Sequence, residues 1–263
     1  MLEIKNLAKT FFPGTVNERK ALQGINLTLR DGDFVTVIGS NGAGKSTLLN
    51  MIGGRLRPDV GSVSIGGRNV TKIAENRRAR WVGRVFQDPM AGTAPHLSVE
   101  ENLAVAMGRT RTRNLLPGVS GKDRVFFKEQ LASLELGLEN RLKAEVGLLS
   151  GGQRQALSLL MATMTQPEIL LLDEHTAALD PQRAALVSNL TGNIVDRDKL
   201  TTLMVTHNME QALQLGNRLI MMHEGRIILE VDGETKAGMT VKDLLGEFDK
   251  LKGGGVSDRT LLQ

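Results

Sequence analysis

The stretch that decides the fold reads Gly39-Ser40-Asn41-Gly42-Ala43-Gly44-Lys45-Ser46-Thr47. It fits the pattern G-x-x-x-x-G-K-[ST] and lies between a β-branched apolar run at 33–38 and a helix-like stretch at 46–54. Strand, glycine turn and helix are the context in which this pattern binds phosphate groups. The glycines let backbone N–H groups point inward, and the helix start adds further N–H groups. A plain glycine-rich turn would need neither flanking element, so we expect a nucleotide-binding loop.

The composition bounds the class of protein. Of 263 residues, 41% are hydrophobic and 24% are charged, and there is no Cys. These values are typical of a globular protein, and the lack of Cys excludes a disulfide framework or a thiolate metal site. The richest apolar stretches, 157–164 and 169–172, are too short to span a bilayer, and Met1–Lys5 does not resemble a signal peptide. We therefore expect a soluble protein that is peripheral to a membrane at most.

The basic charge is mild, with a formal net charge of +4. Two arginine clusters favour contact with nucleic acid or anionic lipid, or else form a solvated face. They comprise Arg77, Arg78 and Arg80, and Arg109, Arg111 and Arg113. Because only 3% of the residues are aromatic and none is Tyr, little is available for base stacking. We therefore expect a solvated face and no nucleic-acid partner.

Strand patterns occur on both sides of the loop. Alternation at 2–7, 21–22 and 25–29 predicts a small antiparallel sheet before it. Further strands are predicted at 62–65, 81–85, 169–172 and 201–205, and in a hairpin formed by 218–222 and 226–231.

Helix patterns dominate the region after Met90. A capping box at Ser98–Glu101 begins one helix, 115–118 breaks it, and 123–136 is helix-like again. Residues 90–158 are therefore predicted to be a mostly helical insertion into an α/β core. Later helices are predicted at 154–165, 181–195, 208–215 and 241–251.

Four further motifs follow the phosphate loop. In chain order they are Gln87 after a strand, Leu149-Ser150-Gly151-Gly152-Gln153, the apolar strand Ile169–Leu172 ending in Asp173-Glu174, and His207 after another strand. With all of them in this order, the chain resembles the ATP-binding cassette (ABC) ATPases up to about residue 235.

The resemblance implies an α/β fold. Its P-loop NTPase core has a RecA-like mixed sheet with helices, plus an N-terminal antiparallel β subdomain and an inserted α-helical subdomain. A nucleotide-binding domain would span 1–240, with the helical subdomain at about 90–158, and 241–263 would form a short helix and a flexible C-terminal tail.

The resemblance also implies residue roles, with ATP and Mg²⁺ as the bound species. Glu174 would be the general base, His207 would contact the γ-phosphate, and Gln87 would reach Mg²⁺ and the attacking water. Ser46, Gln87 and Asp173 would hold the metal. Nucleotide contacts are expected from Gly39, Ser40, Asn41, Gly42, Ala43, Gly44, Lys45, Ser46, Thr47, Ser150, Gly151, Gly152 and Gln153.

Three aromatic or histidine positions leave alternatives open. Phe11 matches the residue that stacks on adenine, Phe12 competes for that role, and a core role for either is an alternative. The family's Asp-Glu-Pro-Thr-Ser segment reads Asp-Glu-His-Thr-Ala here, so His175 is either a tolerated variant or a titrating group beside Glu174. His96 and His223 are expected to be structural.

Partners follow from the same resemblance. In the family, the turn that Ser150–Gly152 resembles closes on the γ-phosphate held by the other subunit, which implies a head-to-tail homodimer or pseudo-dimer around two ATP molecules. Leu179-Asp180 would cross that interface. A cassette without fused membrane helices is typical of importers, which implies an integral membrane permease and, indirectly, an extracytoplasmic solute-binding protein. The protein would then be peripheral, at the cytoplasmic face of the membrane.

A finer similarity concerns the cargo. The segments 147–156, 173–180, 206–209 and 216–222 resemble ATPases of tryptophan/tyrosine-type uptake systems, which implies amino-acid transport. The alternative function, prompted by the arginine clusters, is a soluble ABC-type switch ATPase that acts on nucleic acid or the ribosome.

Overall fold

The computed structural model describes residues 1–110 and 118–251. Its strands are β1 (Leu2–Phe11), β2 (Arg19–Leu29), β3 (Phe34–Gly39), β4 (Val60–Ile65), β5 (Arg68–Asn69), β6 (Val82–Val85), β7 (Ile169–Asp173), β8 (Thr202–Val205), β9 (Arg218–His223) and β10 (Arg226–Asp232). Its helices are α1 (Lys45–Gly53), α2 (Glu75–Arg78), α3 (Val99–Met107), α4 (Gly121–Ala132), α5 (Gly151–Thr163), α6 (Pro181–Asp198), α7 (Met209–Gln214), α8 (Gly233–Ala237) and α9 (Val241–Leu251).

The chain divides into two compact units. The first unit is Met1–Ile73 with Thr201–Gln263, and the second unit is Ala74–Leu200. The predicted break at 115–118 falls largely outside the described residues, and so does the C-terminal tail from 252 onward. The predicted domain boundaries stay predictions.

The first unit contains the antiparallel sheet that the sequence predicts, in the order β2-β1-β4-β5. Leu2 pairs with Leu29 and Ile4 with Leu27, and all four side chains are buried. The two predicted runs at 21–22 and 25–29 belong to one strand, β2. A register shift between Leu7 and Ala8 of β1 leaves Gly24 as an extra residue in β2 and interrupts its alternation, which is why one strand reads as two runs.

A second group of strands in the first unit carries the phosphate loop. Strand β3 lies between β8 and β9 and is parallel to both, and β9 and β10 form the predicted hairpin. The side chains of β3 from Phe34 to Ile38 are all buried, as expected for a parallel strand covered on both faces. Ile38, Leu219 and Met221 pack with Ala212 of α7 and with Leu244 and Phe248 of α9. Helix α9 was predicted from the sequence, whereas the short helix α8 was not.

The second unit combines a parallel strand pair with helices. Val82 pairs with Ile169 and Val85 with Leu172, so β6 and β7 end at the same edge. Helix α5 is buried along most of its length, including Ala156–Thr163. The predicted capping box at Ser98 begins α3. The helix predicted at 123–136 instead spans Gly121–Ala132, because the chain turns at Glu135 with φ of +55°.

Candidate functional site

The phosphate loop connects β3 to α1 in the first unit. Gly44 caps α1 with φ of +101°, and a Cβ built there would lie 2.4 Å from the Ala21 carbonyl oxygen. Only glycine fits this close approach to β2. Ala43 is buried, whereas Asn41 and Ser46 are exposed. The loop is therefore backed by β2 and presents its other side to solvent.

Lys45 is folded into this loop and is only 7% exposed. Its Nζ donates to the carbonyl oxygens of Gly39, at 2.6 Å, and Ser40, at 3.2 Å. The ammonium group is thus held where the motif needs a fixed positive charge.

The start of α1 differs from the starts of the other long helices. Gly44 supplies no side-chain cap. In the described chain, α3, α4, α5 and α6 are capped by Ser98, Ser120, Ser150 and Asp180. The first N–H groups of a helix need an acceptor, and at α1 an anion fits that need. The local geometry therefore suits phosphate oxygens.

Two side chains at the loop were not singled out as site residues by the sequence. Arg19 Nη2 donates to the Gly42 carbonyl oxygen at 3.1 Å, which places a guanidinium beside the loop. His223 Nδ1 lies 3.4 Å from Ser40 Oγ. No local sequence pattern predicts either contact, because Arg19 belongs to β2 and His223 to β9, and only the fold brings these strands to the loop.

Phe11 is the last residue of β1 in the first unit, and Phe12 follows directly after it. Phe11 is partly buried, and Lys9 Nζ lies 5.8 Å from its ring centroid. Phe12 is 67% exposed with φ of +50°, so it has no core role.

His207 follows β8 and is exposed. Its neighbours are held firmly: Thr206 Oγ1 donates to Gln211 Oε1 at 2.8 Å, and Asn208 Oδ1 accepts from the Gln211 N–H at 2.9 Å. The backbone on both sides of His207 is therefore fixed by the start of α7.

Asp173 and Glu174 lie at the carboxyl end of β7 in the second unit. Asp173 Oδ2 accepts a hydrogen bond from Arg84 Nη2 at 3.0 Å. Glu174 has φ of +45°, an uncommon conformation for a residue other than glycine. Gln87 is exposed just after β6, the strand paired with β7. The second unit thus brings the Gln87 and Glu174 segments to one edge of its strand pair.

Ser150 begins α5 with a complete capping box. Its Oγ accepts from the Gln153 N–H at 3.3 Å, and Gln153 Oε1 accepts from the Ser150 N–H at 3.2 Å. A Cβ at Gly152 would lie 3.3 Å from Arg183 Cδ, so α6 packs closely against this turn. The turn is therefore rigid.

Arg154 reinforces the same turn from α5. Its guanidinium donates to the carbonyl oxygens of Val146, Gly147 and Leu149 at 3.2, 2.9 and 3.0 Å. The five donors of a guanidinium suit such a set of acceptors. The motif pattern did not identify this role.

His175 is buried, with 2% of its surface exposed. Its Nε2 lies 2.9 Å from Thr191 Oγ1 of α6, and burial lowers its pKa from 6.5 to about 4. The side chain is therefore neutral near pH 7, which argues against a titrating group beside Glu174.

The predicted site residues fall on the two units as two local sets. The first unit holds Phe11, the loop 39–47 and His207, and the second holds Gln87, 150–153 and 173–174. No cluster of three or more His, Asp or Glu side chains suited to a metal occurs in residues 1–110 and 118–251. Within the same ranges, no helix combines the length and apolar character needed to cross a bilayer.

Comparisons with known proteins agree with these motifs. Residues 22–177 match the family model described as ABC transporter. The chain is 44% identical over 250 residues to a tyrosine transport ATP-binding protein of Clostridioides difficile, covering 95% of this chain and 99% of that protein. It is 38% identical over 226 residues to a sulfate/thiosulfate import ATP-binding protein of Xylella fastidiosa, covering 86% of this chain and 61% of that protein.

A solved structure shows the same fold. The dimeric ATP-binding cassette MJ0796, in a post-hydrolysis state bound to ADP and Pi, superposes with a TM-score of 0.74 at 30% identity, covering 88% of this chain and 98% of that one. The predicted α/β cassette fold is thereby confirmed. The chain therefore belongs to the ABC transporter family and is one of its ATP-binding ATPase subunits.

Proposed function

We propose that the chain is the ATP-hydrolysing subunit of an ABC importer for an amino acid or a related small solute. The observation that carries this proposal is the 44% identity, over nearly the full length of both chains, to a tyrosine transport ATP-binding protein. The likeness to a relative named for sulfate/thiosulfate import supports the direction of transport. The protein would act at the cytoplasmic face of the membrane with a permease and, indirectly, with an extracytoplasmic solute-binding protein.

The residue roles form part of the proposal. Glu174 polarises the attacking water as general base, and His207 contacts the γ-phosphate. Phe11 stacks on adenine, while Lys45 and the N–H groups of the loop bind the phosphates. These roles use the chemistry of the side chains that the two units present.

Ser46, Gln87 and Asp173 are the proposed Mg²⁺ ligands. They offer a hydroxyl, an amide and a carboxylate, which are the hard oxygen donors that Mg²⁺ prefers. When bound, the metal neutralises charge that develops on the phosphates.

A head-to-tail homodimer, or pseudo-dimer, completes the proposal. The rigid Ser150–Gly152 turn offers N–H donors at the start of α5 to a γ-phosphate held by another subunit. The dimeric state of the cassette MJ0796 supports this arrangement.

Co-expression with the permease tests the function. The chain should sediment with membranes only when its permease is present, and labelled tyrosine uptake should require both proteins. Lys45→Ala should still sediment but should not support uptake, because its loop lacks the phosphate-binding charge. An ATPase that never associates with permease-containing membranes and responds only to RNA or ribosomes would support the switch-ATPase alternative instead.

A further inference from the structure

We infer that Arg84 is a positioning residue for metal binding, which sets the Asp173 carboxylate so that one oxygen faces the cation. The inference rests on the proposed role of Asp173 as a Mg²⁺ ligand. The geometry that supports it lies entirely within the second unit.

The strand register places the two side chains on one face. Arg84 of β6 is paired with Leu171 of β7, and Asp173 lies two residues beyond Leu171. Because side chains of a strand alternate between faces, Arg84, Leu171 and Asp173 share one face of the pair. The ion pair is therefore built into the sheet and does not depend on a flexible loop.

The ion pair is well shielded from water. The Arg84 side chain is 10% exposed and that of Asp173 is 16% exposed. Charge-assisted hydrogen bonds of this kind are stronger than those at an open surface. A carboxylate held by a shielded donor keeps one orientation, which metal ligands commonly gain from such surrounding hydrogen bonds.

The contact leaves a coordination position on Asp173. Arg84 reaches Oδ2 through a single nitrogen, Nη2, at 3.0 Å, and does not form the two-pronged contact that would occupy both oxygens. Oδ1 is the oxygen that would serve a cation. The Arg84 guanidinium thus orients the Asp173 carboxylate without occupying the oxygen that would bind the metal.

Arg84 is itself held by the segment that leads to Gln87. Its guanidinium carbon lies 4.7 Å from the centroid of the Phe86 ring, within the range of a cation–π contact. The Phe86 carbonyl oxygen accepts a hydrogen bond from Gln155 Nε2 of α5 at 3.2 Å, and Gln155 is fully buried. The same guanidinium therefore contacts both the Asp173 carboxylate and the residue before Gln87, two of the proposed metal-binding positions.

The test measures metal binding separately from ATP turnover. Electron paramagnetic resonance counts free Mn²⁺ as it is titrated into the full chain saturated with ADP. Arg84→Gln should weaken Mn²⁺ binding about 10-fold, the usual scale for loss of a group that orients a metal ligand. ADP binding in EDTA should change less than about twofold, because the phosphate loop and Phe11 are in the first unit.

One further variant separates the charge of Arg84 from its geometry, and a second variant is a control. Arg84→Lys keeps the charge but loses the planar fork, so Mn²⁺ affinity should recover only in part. Arg109→Gln removes another guanidinium of the second unit, one that donates to the Ala106 and Met161 carbonyl oxygens, and should leave Mn²⁺ affinity unchanged. Thermal melts of all variants report loss of folding.

The outcomes distinguish this inference from the proposed function. If Asp173→Asn weakens Mn²⁺ binding but Arg84→Gln binds Mn²⁺ as tightly as the parent or more tightly, the positioning role is wrong and the ligand role stands. If Asp173→Asn has no effect, both fail. Equal losses in Arg84→Gln and Arg109→Gln would indicate a general structural effect and would also overturn the inference.

Discussion

His175 stands directly after the proposed general base, yet its ring faces the interior of the second unit. Thr191 Oγ1 donates its proton to the Val187 carbonyl oxygen at 2.8 Å, so His175 Nε2 must carry the hydrogen that Thr191 accepts. The histidine is thus a neutral donor that ties the segment after β7 to α6. His175 occupies the position at which the family pattern has Pro, and its side chain adds this hydrogen bond there.

A neutral buried histidine makes stability depend on pH. Above pH 6.5 the His175 ring is neutral in both the folded and the unfolded chain. As the pH falls from 6.5 towards 4, the unfolded chain takes up a proton that the folded chain does not, because burial lowers the folded-state pKa to about 4. The parent should lose up to about 3 kcal/mol of unfolding free energy relative to His175→Gln over this range.

Urea unfolding of both proteins at several pH values measures this difference. Gln keeps a donor for Thr191 but does not titrate, so the variant isolates the histidine proton. His96→Gln changes an exposed histidine and serves as the control. A gap between parent and His175→Gln that stays constant from pH 7 to pH 4 would show that the ring is not held neutral.

The places of the motif residues in the fold could be predicted from the sequence, because the motifs are defined by residue type and spacing, whereas their roles stay proposals. The loop 39–47, Asp173-Glu174 and His207 follow their strands as expected. Arg84 could not be found this way, since its partner Asp173 is 89 positions distant and strand pairing alone brings them together.

At the level of elements, the structure of the second unit depends on where its helices begin and on the side-chain contacts that join them. The capping box at Ser98 is a local pattern, so the sequence could locate the start of α3. The start of α5 was predicted at 154 but lies at Gly151, because the glycine turn at Ser150 also forms a capping box. Short helices such as α2 and α8 were missed because so few residues give no reliable periodicity.

Glu100 joins elements that the sequence could not associate. This buried carboxylate of α3 accepts from Arg124 of α4 at 2.9 Å and from Lys143 at 2.5 Å. Its pKa lies below the ordinary 4.5, first because of the Arg124 hydrogen bond. The carboxylate thus links α3, α4 and the segment before α5.

Glu100→Gln should lower the unfolding free energy at pH 7, because it removes the charge that Arg124 and Lys143 pair with. The loss should be only about 1–2 kcal/mol, because both partners are exposed and regain water. The effect should shrink as the pH falls below 4.5, where protonation weakens the parent's ion pairs. Glu129→Gln, an exposed position on α4, is the matched control in chemical denaturation. A loss no greater than that of the control would mean that the ion pairs add nothing to stability.

For the whole molecule, the α/β class could be predicted because continuous apolar runs alternate with helical patterns. Strand order could not, since β3 and β9 pair across about 180 positions and only tertiary packing selects that neighbour. The motif residues are shared between two units, which local patterns do not reveal. The phosphate loop and the Ser150 turn belong to different units, so neither unit alone carries the full motif set.

The proposed head-to-tail dimer gives a prediction for the whole chain. Glu174→Gln should bind ATP without turnover and elute as a dimer by size-exclusion chromatography with light scattering. Adding Ser150→Arg should leave ATP binding by the same chain intact but keep it monomeric, because a long side chain blocks the turn that meets the partner's γ-phosphate. Ser133→Arg, at an exposed serine of the second unit, should not prevent dimerisation. If the Ser150→Arg protein, folded by its melting curve, dimerises as readily as the Ser133→Arg protein, Ser150 does not act across a subunit interface.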